Sequence, residues 1–432
     1  LLAATSLALL AGILLLYGFY YSVHQDLARS ALSARLATAL GDSASHYMMY
    51  FPPAERAWFS IAVGLTGLTG LRLDLAVVLL TGVAVLFSAG LAYAIRRRTV
   101  GASALFFVLP AAVLVIIPIL FKNVFGLREH MVALGMWPYL VLRVSDPDDA
   151  QIDWRVRLVV GLWMGPMLLF KYFYSVVVLL IELSDAAVRR RPLLLLRVEN
   201  LAAGAVVVLY LFCWLIIDPS QRTVIGGVFS AIDANLIDAK ANLLQAVNNS
   251  LVGLFLLLAF RLLKVPGRVI ALGLALAVGA IIVAWLQQRW YSHHVFAITM
   301  AYVAWWWMAG PALKWWFHLL VPLLLATPIV REYRNTLPYQ QRVNELDQAM
   351  AKAGLSVTGK RVGILTMHPS PYNQVLASHG ALRWNSLMTL RSWTLNASSL
   401  PSVPIRVSDA PNRTTMVSPW LSPASPAAFE PR

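Results

Sequence analysis

The first residue that could do chemistry is Asp26, which follows an apolar stretch and has His24 close by. A carboxylate at a membrane boundary loses part of its hydration, which suits a general base that takes a proton from a hydroxyl group. Asp42 is a second candidate of the same kind. The alternative is that Asp26 is an ordinary acidic residue of a polar loop.

Arg128, Glu129 and His130 form a second group at the edge of another apolar stretch. Adjacent ionisable residues in this position are costly unless they are paired or functional. The guanidinium of Arg128 could bind a phosphate, and Glu129 or His130 could carry a proton. The alternative is that these residues anchor the chain at the membrane interface.

Lys171 is the third candidate, because it interrupts an apolar stretch at a point where the chain has to turn. A lysine between two apolar half-helices needs water or an anion, and a lipid-linked phosphate would be such an anion. The alternative is that its side chain extends to the membrane surface and binds nothing.

The fourth group is the segment 287–294, which mixes cationic, aromatic and hydrogen-bonding side chains between two apolar stretches. Arg289 suits a phosphate, and ring stacking together with dense hydrogen bonding suits a sugar. The candidates for sugar contacts are Gln287, Tyr291, His293 and His294. The alternative is an aromatic belt at the membrane interface.

We predict no dedicated metal site and find no motif of the soluble enzymes in the sequence. His293 and His294 are adjacent, so their side chains diverge on a helix, and no carboxylate is near them in the sequence. Any chemistry therefore depends on the four polar groups.

The elements that carry these groups are predicted to be membrane-spanning helices. Of 432 residues, 59% are hydrophobic and 13% are charged, and the mean hydropathy is +0.68. An average soluble domain is about one quarter charged. Apolar blocks such as 75–94 and 269–286 can cross a bilayer as helices, which satisfy their own backbone hydrogen bonds. We predict an all-α polytopic membrane protein with about nine or ten spans.

The net charge of +15 does not indicate nucleic-acid binding, because the arginine clusters lie at the ends of apolar stretches. The arginine triplets at 96–98 and 189–191 fit cytoplasmic anchors under the positive-inside rule. With both triplets in the cytoplasm, the four polar groups fall on the extracytoplasmic side.

This orientation also predicts the path of the chain. We interpret 1–22 as a first span rather than a signal peptide, because it is long and lacks a convincing cleavage site. The stretch 23–58 is then a polar extracytoplasmic loop, and 54–72 is a helix along the outer surface. The stretch 158–183 is a short hairpin of two half-length helices that turns near Lys171, surrounded by protein or water.

Three regions are predicted along the chain. Residues 1–330 form the transmembrane domain, and 331–392 form a small extracytoplasmic α/β appendage. The appendage has a helix that ends at Gly354 and a strand at 361–367. Residues 393–432 are rich in Ser, Pro and Thr and lack periodicity, which predicts a disordered tail.

The layout resembles the GT-C superfamily of integral membrane glycosyltransferases. The loop with Asp26 closes with Tyr50-Phe51-Pro52-Pro53, similar to the Tyr-Pro-Pro element that opens a surface helix in bacterial members. Leu169-Phe170-Lys171-Tyr172 looks like the Leu-Lys-Pro turn of the family's short hairpin. Further likenesses are the Arg-Glu-His element at 128–130 with Pro138-Tyr139, the segment 287–294, and Gly-Ala-Leu-Arg-Trp at 380–384.

The resemblance implies a glycosyltransferase of class EC 2.4 in a bacterial inner membrane, with its active site on the extracytoplasmic face. The donor would be a polyprenyl-phosphate sugar, and the acceptor an envelope glycan, lipid or protein. Asp26 would act as the base, while Arg128, Lys171 and Arg289 would stabilise the departing phosphate. A divalent Mg or Mn ion would be weakly held by carboxylate and phosphate oxygens.

Other functions remain open at this point. A transporter or flippase for lipid-linked sugars would share the anion-binding pocket, but it should show paired halves with matching broken helices. The sequence has no convincing internal symmetry of this kind. A related enzyme of the O-antigen-ligase type and a non-catalytic membrane scaffold are the further alternatives.

Overall fold

The computed structural model describes residues 2–19, 21–40, 53–99, 101–120, 123–146, 151–213 and 265–287, parts of 330–354, and short strands after residue 360. The described chain is mostly helical. Its main helices are α1 (Leu2–Phe19), α2 (Gln25–Leu40), α3 (Pro53–Thr69), α4 (Leu73–Thr99), α5 (Leu105–Leu120), α6 (Arg128–Ser145), α7 (Trp154–Phe170), α8 (Ser175–Arg189), α9 (Val198–Phe212) and α10 (Gly267–Gln287).

Helices α1, α4 and α10 lie within a few residues of the predicted span 1–22 and of the apolar blocks 75–94 and 269–286. Within the described chain, α1 and α4 are long and apolar enough to cross a membrane. Helices α5 and α9 and most of α10 are apolar but shorter. Length and composition of these helices indicate association with a membrane.

Helix α2 corrects the interpretation of 23–58 as a polar loop. Leu27, Ala28, Ala31 and Leu32 recur at helical spacing and are all buried, so one face of α2 packs against its neighbours. Helix α3 is one of these neighbours and runs where the sequence predicts the surface helix. The polar face of α2 hid this apolar stripe in the sequence.

Helix α6 is the centre of the bundle, and every residue in it except Arg128 and Val144 is buried. The carbonyl of Leu134 accepts hydrogen bonds from Ser88 Oγ of α4 at 2.7 Å and from Trp163 Nε1 of α7 at 3.1 Å. Helix α6 therefore lies between α4 and α7 and contacts both.

Helices α4 and α6 run in the same direction. A Cβ atom on Gly126, just before α6, would lie 2.9 Å from Thr81 Oγ1, and Ser88 is level with Leu134. Continuing along both helices brings the arginine triplet 96–98 level with Arg143. This triplet therefore lies near the C-terminal end of α6, away from Arg128.

Helices α7 and α8 form the predicted reversal but are longer than the predicted half-length pair. Helix α7 ends at Phe170, a short 3-10 turn covers Tyr172–Tyr174, and α8 begins at Ser175. With 17 and 15 residues, the two helices are about 26 and 22 Å long at 1.5 Å per residue. Each one therefore covers about the same distance as α6.

Helix α9 runs beside α7 in the same direction, and two glycines of α7 make their close contact possible. A Cβ atom on Gly161 would lie 2.8 Å from the Ala202 Cβ, and one on Gly165 would lie 2.9 Å from the Val206 Cβ. Helix α10 packs against α8, with Ser184 Oγ donating to the Ala271 carbonyl at 3.2 Å.

Four strands follow the helices: β1 (Arg361–Gly363), β2 (Leu382–Trp384), β3 (Ile405–Ala410) and β4 (Arg413–Val417). They form one sheet in the order β2-β1-β3-β4, in which the β1–β2 pair is parallel and the other pairs are antiparallel. Strand β1 lies within the predicted strand 361–367. Strands β3 and β4 lie within 393–432, where the sequence predicts a disordered tail.

Candidate functional site

Five charged residues from distant parts of the chain meet at one end of the helices. Asp26, Glu55 and Glu129 lie in the first turns of α2, α3 and α6, Arg128 begins α6, and Lys171 follows the last residue of α7. We call this group the Lys171 cluster. It contains Asp26, Arg128, Glu129 and Lys171 from the sequence prediction, together with Glu55.

Lys171 forms an ion pair with Glu129, and both side chains are largely buried. The backbone of Lys171 has left the helix, with φ −148° and ψ 84°, and its N–H donates to the Leu168 carbonyl at 3.0 Å. The break in the chain at this residue therefore places a buried ammonium group against the first turn of α6.

Arg128 and Glu55 form the second contact of the cluster. Arg128 Nε lies 3.6 Å from Glu55 Oε2, which is an electrostatic contact but too long for a hydrogen bond. The other carboxylate oxygen of Glu55 accepts a hydrogen bond of 3.0 Å from Ser30 Oγ of α2. Glu55 thus connects α2, α3 and α6.

Asp26 is the accessible acid of the cluster. Its side chain is 39% exposed, whereas those of Glu55 and Glu129 are nearly fully buried. The Asp26 backbone N–H donates to His24 Nδ1 at 3.2 Å, and His24 Nδ1 also lies 4.0 Å from Asp26 Oδ2. An acceptor molecule could therefore reach Asp26 directly, while the other two acids contact cations.

His130 has a different position from the one predicted for a proton carrier. It is fully buried, with Nδ1 accepting from the Gly126 N–H and Nε2 donating to the Leu114 carbonyl, each at 2.9 Å. Both ring nitrogens are therefore engaged by the backbone. Gly126 has φ +82°, so His130 stabilises the unusual loop that leads into α6.

The fourth predicted group cannot be placed in the cluster. Gln287 ends α10, and the structure describes only its backbone. Arg289, Tyr291, His293 and His294 lie outside the described residues, as does Asp42. Their roles stay predictions from the sequence.

Sequence reasoning missed Glu55, although one signal marks it. It follows Pro52-Pro53 in the first turn of an apolar helix, where a carboxylate faces other groups near the helix N-terminus. Its contact with Arg128 could not be predicted, because the two residues are far apart in the sequence.

A second charged group, which sequence reasoning also missed, lies at the opposite end of the same helices. Arg157 Nη2 lies 2.6 Å from Asp146 Oδ2, and Arg143 Nη1 lies 2.5 Å from Glu199 Oε1. The members of this Arg143 network are Arg143, Arg157, Arg197, Arg268, Asp146, Glu182, Asp185 and Glu199.

The Arg143 network balances its charges and connects five helices or their ends. Asp185 of α8 contacts Arg268 of α10 at 2.5 Å and Arg197, just before α9, at 2.8 Å. Arg143 is 15 residues beyond Arg128 in α6, so the two charged groups are about 22 Å apart along the helix. We interpret the network as structural.

The described residues contain no group of three or more His, Cys, Asp or Glu side chains that could hold a metal ion. The Mg or Mn ion implied by the resemblance therefore has no ligand set in this part of the chain, and we assign it no step.

Comparison with known protein families, with characterised proteins and with solved structures finds no match to this chain. The functional argument therefore rests on the residues and their arrangement.

Proposed function

We propose that this chain is a multi-pass membrane glycosyltransferase of the GT-C type. It transfers a sugar from a polyprenyl-phosphate donor to an envelope glycan, lipid or protein acceptor on the extracytoplasmic face of a bacterial inner membrane. Residues 1–330 form the catalytic membrane domain. Residues 331–392 form an extracytoplasmic appendage.

One observation carries the proposal: Arg128 and Lys171 lie together with Asp26 at one end of the helix bundle. The arginine triplets 96–98 and 189–191 belong to the opposite end, since Arg189 contacts Asp185 of the Arg143 network. If the triplets face the cytoplasm, the Lys171 cluster faces the exterior. Members of the GT-C superfamily, which this chain resembles, use polyprenyl-phosphate sugars on this side of the membrane.

The residues of the cluster suit a one-step displacement. Asp26 takes the proton of the acceptor hydroxyl, whose oxygen forms a bond to the anomeric carbon of the sugar. The bond from that carbon to the phosphate oxygen breaks, and its electron pair leaves with the lipid phosphate. Arg128 and Lys171 stabilise the charge that develops on the phosphate, a role that the sequence also predicts for Arg289.

The positions of the charges favour an enzyme over a transporter. A transporter for a charged lipid needs polar groups near the middle of its spans. In α6 the acidic and basic residues lie at 128–130 and at Arg143, and the stretch 131–142 between them contains no Asp, Glu, Lys, Arg or His. Within this central helix, the charged residues are thus confined to the two ends.

The proposal is tested by mass spectrometry of lipids that copurify with the full chain in mild detergent. We expect a polyprenyl-phosphate sugar with the wild type and with Arg98→Gln, which removes a cation from the other end of the bundle. Lys171→Met should lose this lipid. Copurification of phospholipids alone with the wild type would contradict the proposal.

A further inference from the structure

Glu55 is a buried carboxyl for which the displacement mechanism has no role. It is 4% exposed, and its Oε2 atom accepts no hydrogen bond among the described residues. Arg128 Nε lies 3.6 Å from this oxygen. The contact is loose, so a better acceptor such as a phosphate oxygen could replace Glu55 on the guanidinium.

The charges of the Lys171 cluster make the replacement of Glu55 by a phosphate electrostatically costly unless one carboxyl group of the cluster takes up a proton. The cluster has two cations, Arg128 and Lys171, and three carboxyl groups, Asp26, Glu55 and Glu129. With all of them ionised the cluster has a net charge of −1, and a lipid phosphodiester would bring a further negative charge. Like charges repel strongly in a partly buried site.

The surroundings of Glu55 single it out as the group that takes the proton. The charged and titratable groups with which it interacts include Asp26 of α2, Arg128 and Glu129 of α6, Lys171 after α7 and Tyr210 of α9, with Ser30 as hydrogen-bond donor. Glu129 is already paired with Lys171, and Asp26 is exposed to solvent. Glu55 is therefore a buried acid of the cluster whose contact with the Arg128 guanidinium, at 3.6 Å, is longer than a hydrogen bond.

We propose that Glu55 is a proton-dependent switch for donor binding, which holds Arg128 in the empty site and becomes protonated when a lipid phosphate takes over Arg128. This inference rests on the proposed function. It adds that binding of the lipid phosphate takes up one proton from solution.

The pKa of Glu55 supports this role. Burial raises the pKa to about 7, although Arg128 and the hydrogen bond from Ser30 lower it and the neighbouring carboxylates raise it further. When a phosphate draws Arg128 away, the strongest lowering influence weakens and the carboxyl takes up a proton. Affinity for the phosphate should therefore fall as the pH rises above 7.

The test uses the full chain in detergent and farnesyl methyl phosphate, a phosphodiester whose single charge stays constant between pH 6 and 8. Isothermal titration calorimetry should show affinity about tenfold weaker at pH 8 than at pH 6, since the protonated fraction of a group with pKa near 7 changes by that factor. Glu55→Gln should bind equally at both pH values. Glu345→Gln, at an exposed acid, should keep the wild-type dependence.

Titrations in buffers of different ionisation enthalpy give a second readout that needs no variant. At pH 8 the wild type should take up close to one proton per probe bound. If the wild type binds the probe without proton uptake, or if Glu55→Gln keeps the pH dependence, the switch is refuted and the glycosyltransferase proposal stands. If the wild type binds no probe at any pH, the proposed function itself fails.

Discussion

Lys171 and Glu129 form a buried ion pair between the turn after α7 and the first turn of α6. A lipid phosphate that approaches Lys171 must compete with this carboxylate. If the proposed function holds, the pair has two effects that can be separated: it stabilises the empty protein, and it places the ammonium group where a phosphate can reach it.

Lys171→Met should lose both effects. Removing one partner of a buried pair leaves an uncompensated charge and costs about 3 kcal/mol of unfolding free energy. The double variant Lys171→Met/Glu129→Gln should recover most of the thermal stability, but it should still bind farnesyl methyl phosphate at least tenfold more weakly than the wild type. Wild-type affinity in the double variant would show that Lys171 is only an anchor.

Asp26→Asn should abolish sugar transfer while donor binding is kept. Asparagine has nearly the same shape but cannot accept the proton, and loss of a general base lowers a rate about 10²- to 10⁴-fold. Transfer of labelled sugar in isolated membranes measures this effect. The matched control is Asp153→Asn, since Asp153 caps α7 and asparagine caps a helix equally well. Normal transfer by Asp26→Asn would remove Asp26 as the base.

Arg143→Ala should destabilise the protein strongly. Arg143 is completely buried, and its loss leaves Glu182 and Glu199 without one of their cations, at a cost of about 3–5 kcal/mol. Arg97→Ala, at an exposed arginine, should change stability by less than about 1 kcal/mol. Thermal unfolding in detergent distinguishes the two, and equal melting temperatures would show that the Arg143 network is not a stabilising element.

Gly161→Ala and Gly165→Ala should each weaken the contact between α7 and α9. The added methyl groups would overlap α9, and overpacking of this kind costs about 1–3 kcal/mol. Gly204→Ala is the control, because a Cβ atom there meets nothing within 4 Å. This control should be neutral or slightly stabilising, since alanine favours the helix by up to about 1 kcal/mol. Thermal unfolding of the three variants is the measurement.

Glu55→Gln should stabilise the protein at alkaline pH but not at acidic pH. In the unfolded chain the Glu55 carboxyl has its ordinary pKa of 4.5, whereas burial raises the pKa to about 7 in the folded protein. The folded state therefore holds this proton more tightly, and stability falls as the pH rises from about 4.5 to 7. The melting temperature of the variant should exceed that of the wild type at pH 8 and match it near pH 4. An advantage that is the same at both pH values would contradict this explanation.

The sequence predicted well what depends on local pattern. Long apolar blocks marked α4 and α10 to within a few residues, because a helix in lipid needs a continuous apolar stretch. Placing both basic triplets on one side of the membrane predicted that Asp26, Arg128 and Lys171 lie at the same end of the bundle, and they do. The apolar stripe of α2 was not predicted because polar residues are interspersed with Leu and Ala along the same stretch.

Contacts between distant residues were beyond prediction from the sequence. The pairing of Arg143 with Glu182 and Glu199 joins three helices whose order in space no local pattern reveals. A usable signal was nevertheless present: Arg143 continues an otherwise apolar helix, and such an arginine needs an acidic partner. The hydrogen bonds of the His130 ring to the backbone were unpredictable for a related reason, since only the fold shows them.

The near-complete enclosure of α6 also constrains how the molecule is assembled. A helix that presents a buried surface on every side cannot be added to neighbours that have already closed around an empty space. Helices α4 and α7, which contact α6, must therefore pack around it while the bundle forms. The maturation of the whole protein should consequently depend on the segment 128–145 more than on any peripheral span.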